Sequence, residues 1–287
     1  MRTRTEAFYA PPRRSVGGPR YAIWHSPVEQ PAKAVVVYVP PLGEEMNKAR
    51  RMASLHARAL AASGLAVMQA DLLGCGDSHG EFEEASWEIW RSDVRDACES
   101  AMRRHAESWP SAPPPPLWLW GLRAGCLLAA SAATSFPEPC HFLFWQPQGS
   151  GKQALQQFLR LRIAAEMGGA TRGLGERLRR DLANGASVDV AGYRLPSSLA
   201  LGLEQAKLDP PQRRDGRSRS LWFEIRPEGD VGWLPATEAL QARWRSGGWW
   251  VGGESVPGPA FWATVEIEEA PALIDASVRA IVEMHTT

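Results

Sequence analysis

The residues best placed for chemistry in this 287-residue chain lie in the run Leu117-Trp118-Leu119-Trp120-Gly121-Leu122-Arg123-Ala124-Gly125. A buried strand runs into Gly-x-X-x-Gly and then into a small-residue helix pattern, Cys126-Leu127-Leu128-Ala129-Ala130-Ser131-Ala132-Ala133. This is the layout of a nucleophile elbow, whose glycines let a strained strand-to-helix turn pack while its central side chain projects over the sheet. Elbow chemistry calls for Ser, Cys or Asp at the centre, and the residue there is Arg123. A guanidinium stays protonated at physiological pH and cannot attack a carbonyl. The position is suited instead to holding negative charge, because a helix N-terminus with free amides lies directly behind it.

The elements that must position this turn alternate between strand and helix patterns, which predicts an α/β fold with a mostly parallel, doubly wound sheet. A short strand is expected at 20–24. The β-branched run at 34–39 reads as a strand covered on both faces. Apolar positions at helical spacing over 47–62 end at Gly64, a suitable C-cap. A strand at 65–70, an amphipathic helix at 87–104 and a proline-rich extended linker at 110–116 lead to the elbow strand at 117–120. Beyond it the pattern predicts a strand at 141–145 and a helix at 153–166. Between 167 and 212 the pattern weakens to two helical stretches, 174–182 and 197–208, read as a helical insertion or cap over the sheet of a single domain. The charged run 213–219 reads as an exposed loop, 221–225 and 248–251 as the last strands, and 270–283 as the closing helix.

Composition narrows the function classes. With 44% hydrophobic and 22% charged residues, the chain is a globular protein with a sizeable core. Acidic and basic residues number 32 each, which argues against a general polyanion-binding role and against a nucleic-acid partner. Basic clusters at 160–180 and 213–219 read as solvated faces. The four cysteines show no CxxC spacing, so reduced, buried thiols are expected and no zinc site; no cofactor motif is present. The first residues lack the apolar core of a signal peptide, and no run approaches the ~18–20 apolar residues of a membrane span. The expectation is a cytoplasmic protein with no transmembrane segment.

A second motif follows the strand at 65–70. Asp71-Leu72-Leu73-Gly74-Cys75-Gly76-Asp77-Ser78 carries no GKS/T or GxGxxG phosphate loop and, alone, is a turn needing two permissive residues. Placed ahead of an elbow, it resembles a signature of the α/β-hydrolase superfamily. The resemblance is closer still to the exosortase A system-associated hydrolase 2 family. It is carried by Pro40-Pro41-Leu42-Gly43-Glu44-Glu45-Met46-Asn47-Lys48-Ala49-Arg50-Arg51, Trp120-Gly121-Leu122-Arg123-Ala124-Gly125 and Phe144-Trp145-Gln146-Pro147. Gln157-Phe158-Leu159-Arg160-Leu161-Arg162, Phe261-Trp262 and Glu266-Ile267 extend it over most of the chain. The resemblance implies an α/β-hydrolase fold and a place in the exosortase/PEP-CTERM sorting system, linked to exopolysaccharide production.

Against the superfamily's pattern, the triad is incomplete. Asp230, in Arg226-Pro227-Glu228-Gly229-Asp230, sits where the superfamily places its acid and is a possible vestigial member, or simply a loop Asp capping a turn. The base is expected near Ala260 or Phe261, and neither side chain accepts a proton. His79, beside the 71–78 loop, is the histidine nearest the strand ends. Cys126, three residues beyond the tip, reads as core. Serine hydrolysis is therefore not expected.

The superfamily's oxyanion hole would draw on amides near Leu42 and Gly43 and at Ala124. With Arg123 added, two arrangements follow. Arg123 pairs internally with Glu44 or Glu45, bridging two loops and closing the old pocket; or it helps bind an anionic ligand such as a carboxylate, phosphate or sugar acid. The candidate ligand-binding set is Arg123, Leu42, Gly43, Ala124, Glu44, Glu45 and Asn47, with Lys48 and Arg50 near the same mouth. The leading expectation is a non-catalytic hydrolase-fold protein that binds a small anion or serves a protein partner of the exosortase system. The alternative is an active esterase-like hydrolase or acyltransferase with an atypical nucleophile.

Overall fold

The computed structural model describes residues 1–166, 173–212, 218–230 and 232–285. Its main sheet has eight strands in the order β1-β2-β4-β3-β5-β6-β9-β10. These are β1 (Thr3–Ala10), β2 (Arg20–Pro27), β3 (Val35–Val39), β4 (Ala66–Ala70), β5 (Leu117–Leu122), β6 (Cys140–Trp145), β9 (Arg219–Arg226) and β10 (Trp250–Pro257). β1 and β2 enter antiparallel, and every pairing from β4 onward is parallel.

The β3 run shows why uninterrupted apolar sequence is needed at the sheet's centre. Val35, Val37 and Val39 pack into the core on one face, with α2 (Trp87–Ser108) and α3 (Ala124–Ala133). Val36 and Tyr38 pack into the core on the other, with α1 (Glu44–Ala62) and α8 (Pro271–Glu283). Successive side chains point to opposite faces, so a strand covered on both sides has no position left for a polar residue. Trp118, Trp120, Trp145, Trp222 and Trp244 are fully buried in these two cores. The small residues of α3 let that helix approach the sheet closely. A Cβ on Gly125 would drive into the Val39 carbonyl oxygen and lie 2.6 Å from that of Pro40.

Several elements depart from the sequence expectation. β1 was not expected; most of its residues are exposed at the sheet edge, so it shows no apolar alternation. β10 starts two residues later than predicted and runs longer, its signal diluted by Gly252 and Gly253 in another largely exposed edge strand. After α4 (Gly151–Ala165), the described part of the expected insertion holds α5 (Leu174–Ala183) and α6 (Ser197–Gln205). Between these helices lies an unexpected antiparallel hairpin, β7 (Val188–Val190) with β8 (Tyr193–Leu195), whose three-residue strands are too short for a period to show. α6 packs on α4 and α2. Residues 167–172 of the insertion and 213–217 of the charged run lie outside the described residues. α7 (Pro235–Ser246) completes the layer between β9 and β10.

Candidate functional site

Arg123 stands alone between the end of β5 and the start of α3, at φ 55° and ψ −119°. L residues avoid this region, and holding one there costs about 1–3 kcal/mol. The turn is pinned on both sides, by the Arg123 amide donating to the Trp145 carbonyl at 3.0 Å and by the Cys126 amide donating to the Arg123 carbonyl at 3.1 Å. The elbow backbone is thus present, with its central side chain raised over the C-terminal ends of the parallel strands.

Three other elements meet that side chain. From the first turn of α1, Glu45 Oε1 accepts from Arg123 Nε at 3.3 Å and from Nη2 at 3.2 Å. From α4, Gln157 Oε1 accepts from Nη2 at 2.9 Å and also from Gln148 Nε2 at 2.7 Å. From the loop after β10, the Trp262 ring centroid lies 5.4 Å from the guanidinium carbon, within cation–π range. Burial pushes the Glu45 carboxyl above its ordinary value, and the Arg123 charge and hydrogen bonds oppose that rise. The pair is only partly buried, so it nets little by itself, but removing one partner strands the other charge.

The two glutamates that sequence left as equal candidates have separate roles. Glu44 turns away from Arg123. Its Oε2 accepts from Asn47 Nδ2 at 3.2 Å, and Asn47 also donates to the Tyr193 hydroxyl at 2.8 Å. Tyr193 comes from β8, so the short hairpin ties itself to the start of α1. Burial and the Glu44 charge push the Tyr193 phenol up to about 12, keeping it protonated. Leu42 is buried. Gly43, at the N-cap of α1, holds φ 57° and ψ −126° with its Cα against the Phe158 ring. A pocket of about 230 Å³ opens beside the tip, and Leu42, Glu45, Lys48, Ala124, Gln148 and Trp262 are among its lining residues. A larger hollow of about 440 Å³ lies between β2 and the end of α2, remote from the strand ends that carry the tip.

The other residues considered for a triad have surroundings of their own. Asp230 is half exposed and accepts from Arg226 Nη2, in its own turn, at 3.0 Å. The loop after β10 presents Phe261 and Trp262, both buried, where a base would stand. His79 lies on the surface with its ring against Gly18. Cys126 is fully buried, its thiol pushed well up by burial and directed at the Trp145 carbonyl. His56 is closed inside the other core, against Trp120 and Trp145, where burial lowers it to about 3.

Sequence reasoning did not single out Gln148, Tyr193 or the partnership of Gln157 and Trp262 with Arg123. One signal was present: Gln157 interrupts the stripe formed by Ala154, Phe158 and Leu161 on α4, a polar residue where an apolar one would bury better.

No family model matches the sequence. No curated protein matches it either. Solved structures do. The chain is similar to Est1E from Butyrivibrio proteoclasticus, solved with ferulic acid, at 13% identity over 94% of this chain and 96% of that one, with a TM-score of 0.59. A hyperthermophilic esterase from the archaeon Pyrobaculum calidifontis is 16% identical over 99% of this chain and 87% of its own, with a TM-score of 0.59. A thermostable carboxyl esterase from Bacillus coagulans is 13% identical over 99% and 98%, with a TM-score of 0.56. The strand order, the flanking helices and these likenesses define an α/β-hydrolase fold. Among the described residues no helix is long and apolar enough to cross a membrane.

Proposed function

We propose that this chain is an α/β-hydrolase-fold protein that has given up Ser-His-Asp hydrolysis and acts as an anion-binding or accessory protein. The observation that carries the proposal is the occupant of the elbow: Arg123 at the tip, held by Glu45 and Gln157 and faced by Trp262. Triad members act as a unit, and loss of one can cost ~10⁶-fold in turnover. Here the nucleophile and base positions both carry residues of the wrong chemistry. The assignment to a cytoplasmic component of the exosortase/PEP-CTERM, exopolysaccharide-linked system rests on the motifs at 40–51, 120–125, 144–147 and 157–162. Its expected partner is a protein of that system.

The esterase-like fold keeps one other reading in view, an active hydrolase or acyltransferase with an unusual nucleophile. Cys126, the nearest thiol, is buried and held protonated, which weighs against it. A fluorophosphonate probe and a panel of p-nitrophenyl esters separate the two. Wild type and Arg123→Ser are both expected to match an unfolded control, the latter because a serine without a base remains a weak nucleophile. Wild-type turnover above both controls overturns the non-catalytic reading. Co-purification from a host carrying the sorting system tests the partner assignment.

A further inference from the structure

The pocket beside the elbow contains more unused polarity than the Arg123 network consumes. Lys48 follows Glu44 by four residues on α1, the spacing and direction that favour a helical ion pair. That pair does not form, because the Glu44 carboxylate is taken by Asn47 and lies beside the Tyr193 hydroxyl. Glu45 is taken by Arg123. Lys48 therefore lines the pocket with no carboxylate partner among the described residues, the one cation in its wall.

A second group is also unmatched. Gln148 is more than nine-tenths buried, lines the same pocket, and its Oε1 meets no donor among the described residues. The orientation of its amide is fixed by chemistry. Arg123 can only donate, so the Gln157 atom it meets is an oxygen; Gln148 must then offer that oxygen its Nε2, leaving Oε1 turned elsewhere. Buried acceptors are nearly always matched; this one is closed off from solvent, so Gln148 joins the pocket wall without offering Oε1 to an incoming group. Glu44, Glu45 and Gln157 also line the wall, and its apolar part is built from Leu42, Ala154, Phe158, Leu161 and Trp262. Leu161 stays substantially exposed at the rim.

We infer that this pocket binds a small amphipathic carboxylate, with Lys48 taking the carboxylate and the apolar part of the wall covering a short chain or ring. The inference rests on the non-hydrolytic reading above and refines it, because Arg123 already has its counter-charge and Lys48 does not. The pocket, about 230 Å³, lies below the ~300–1,000 Å³ of drug-sized sites, which limits the ligand to a compact acid. A phosphate dianion suits it poorly, since Glu44 and Glu45 share the lining and the wall is mostly apolar.

The test uses the full chain with 3-hydroxyoctanoate, octanoate, 1-octanol and inorganic phosphate, read by thermal stabilisation and by tryptophan fluorescence, to which Trp262 reports. Octanoate and 3-hydroxyoctanoate are expected to bind alike, with octanol and phosphate weakest. Lys48→Met should weaken both acids by about tenfold or more and leave octanol unchanged, and Lys48→Arg should recover most of the loss. Leu161→Asp, at the exposed rim, should weaken the acids without disturbing the fold. Equal binding of octanol and the acids, an unaffected Lys48→Met, or stabilisation by phosphate alone would overturn the assignment. Absence of both binding and ester turnover removes the ligand class and leaves the non-hydrolytic reading intact. Saturable binding together with ester turnover removes the non-hydrolytic reading and keeps the ligand class.

Discussion

Two strand-to-helix turns lie side by side at the C-terminal edge of the sheet, after the paired strands β3 and β5, and they adopt nearly the same backbone. Gly43 opens α1 at φ 57° and ψ −126°; Arg123 opens α3 at φ 55° and ψ −119°. Glycine enters this region without a steric cost, whereas arginine is strained there by about 1–3 kcal/mol. The first turn has glycine because nothing larger fits against Phe158. The second accepts the strain, and its side chain gains Glu45, Gln157 and Trp262 in return. The comparison teaches that the elbow's backbone and its chemistry are separable: the turn persists while its tip serves as an anchor between α1, α4 and the loop after β10.

The largest effect is expected from breaking both turns at once. Gly125→Ala places a methyl against the Val39 and Pro40 carbonyls, where β3 leaves the sheet toward Gly43, and should destabilise by about 3 kcal/mol or more in urea unfolding. Near-wild-type stability would show that the two turns are not wedged together. Gly43→Ala should follow at about 2–3 kcal/mol, combining an unfavourable φ with a Cβ 2.7 Å from Phe158. Adding Phe158→Leu should recover only the steric part, leaving the backbone strain behind.

At the second turn the pair Arg123→Ala and Arg123→Gly isolates strain from side-chain contacts. Both lose the ion pair and leave Glu45 partly buried without it, at about 1–3 kcal/mol. Only glycine relaxes the backbone, so it should exceed alanine in stability by about 1 kcal/mol. An alanine variant as stable as the glycine variant means the turn is not strained.

The smallest effect concerns pH. Glu45 has a raised pKa in the folded protein, so its proton is held more tightly there than in the unfolded chain. Its contribution is fully present below the unfolded value and is lost as pH rises through the folded one. Glu45→Gln should therefore flatten the decline in stability from mildly acidic toward neutral pH. Arg123→Ala, which removes the opposing charge, should extend that decline to higher pH. Thermal unfolding of the three proteins across this range provides the measurement, and parallel curves would mean the carboxyl does not titrate differently in the fold.

Much of the frame was legible because it depends on local pattern. The β-branched run of β3, the small residues of α3 and the glycines around Arg123 each state a backbone requirement within a few residues. β1 and β10 were harder, since an exposed edge strand is held by pairing with its neighbour rather than by a buried face. The β7–β8 hairpin, whose strands have three residues each, offered no period at all, yet it supplies Tyr193 to the site. Asp230 illustrates the opposite problem. Its place in the order of elements suited an acid, but its side chain pairs with Arg226 within its own turn.

By itself, the sequence determined that Arg123 at the elbow is no nucleophile and that neither Ala260 nor Phe261, where a base is expected, accepts a proton, because those are statements about residue identity. It also named two adjacent glutamates as the internal partners open to Arg123, beside an external anion. Only the tertiary structure decided between them. Glu44 and Glu45 are about 100° apart around α1, so one faces the hairpin and the other the elbow. Lys48 is left in the pocket wall without a carboxylate partner among the described residues. Which charge is neutralised and which stays open depends on partners 78 and 149 residues away in the chain, Arg123 for Glu45 and Tyr193 for Glu44, and no local pattern encodes that.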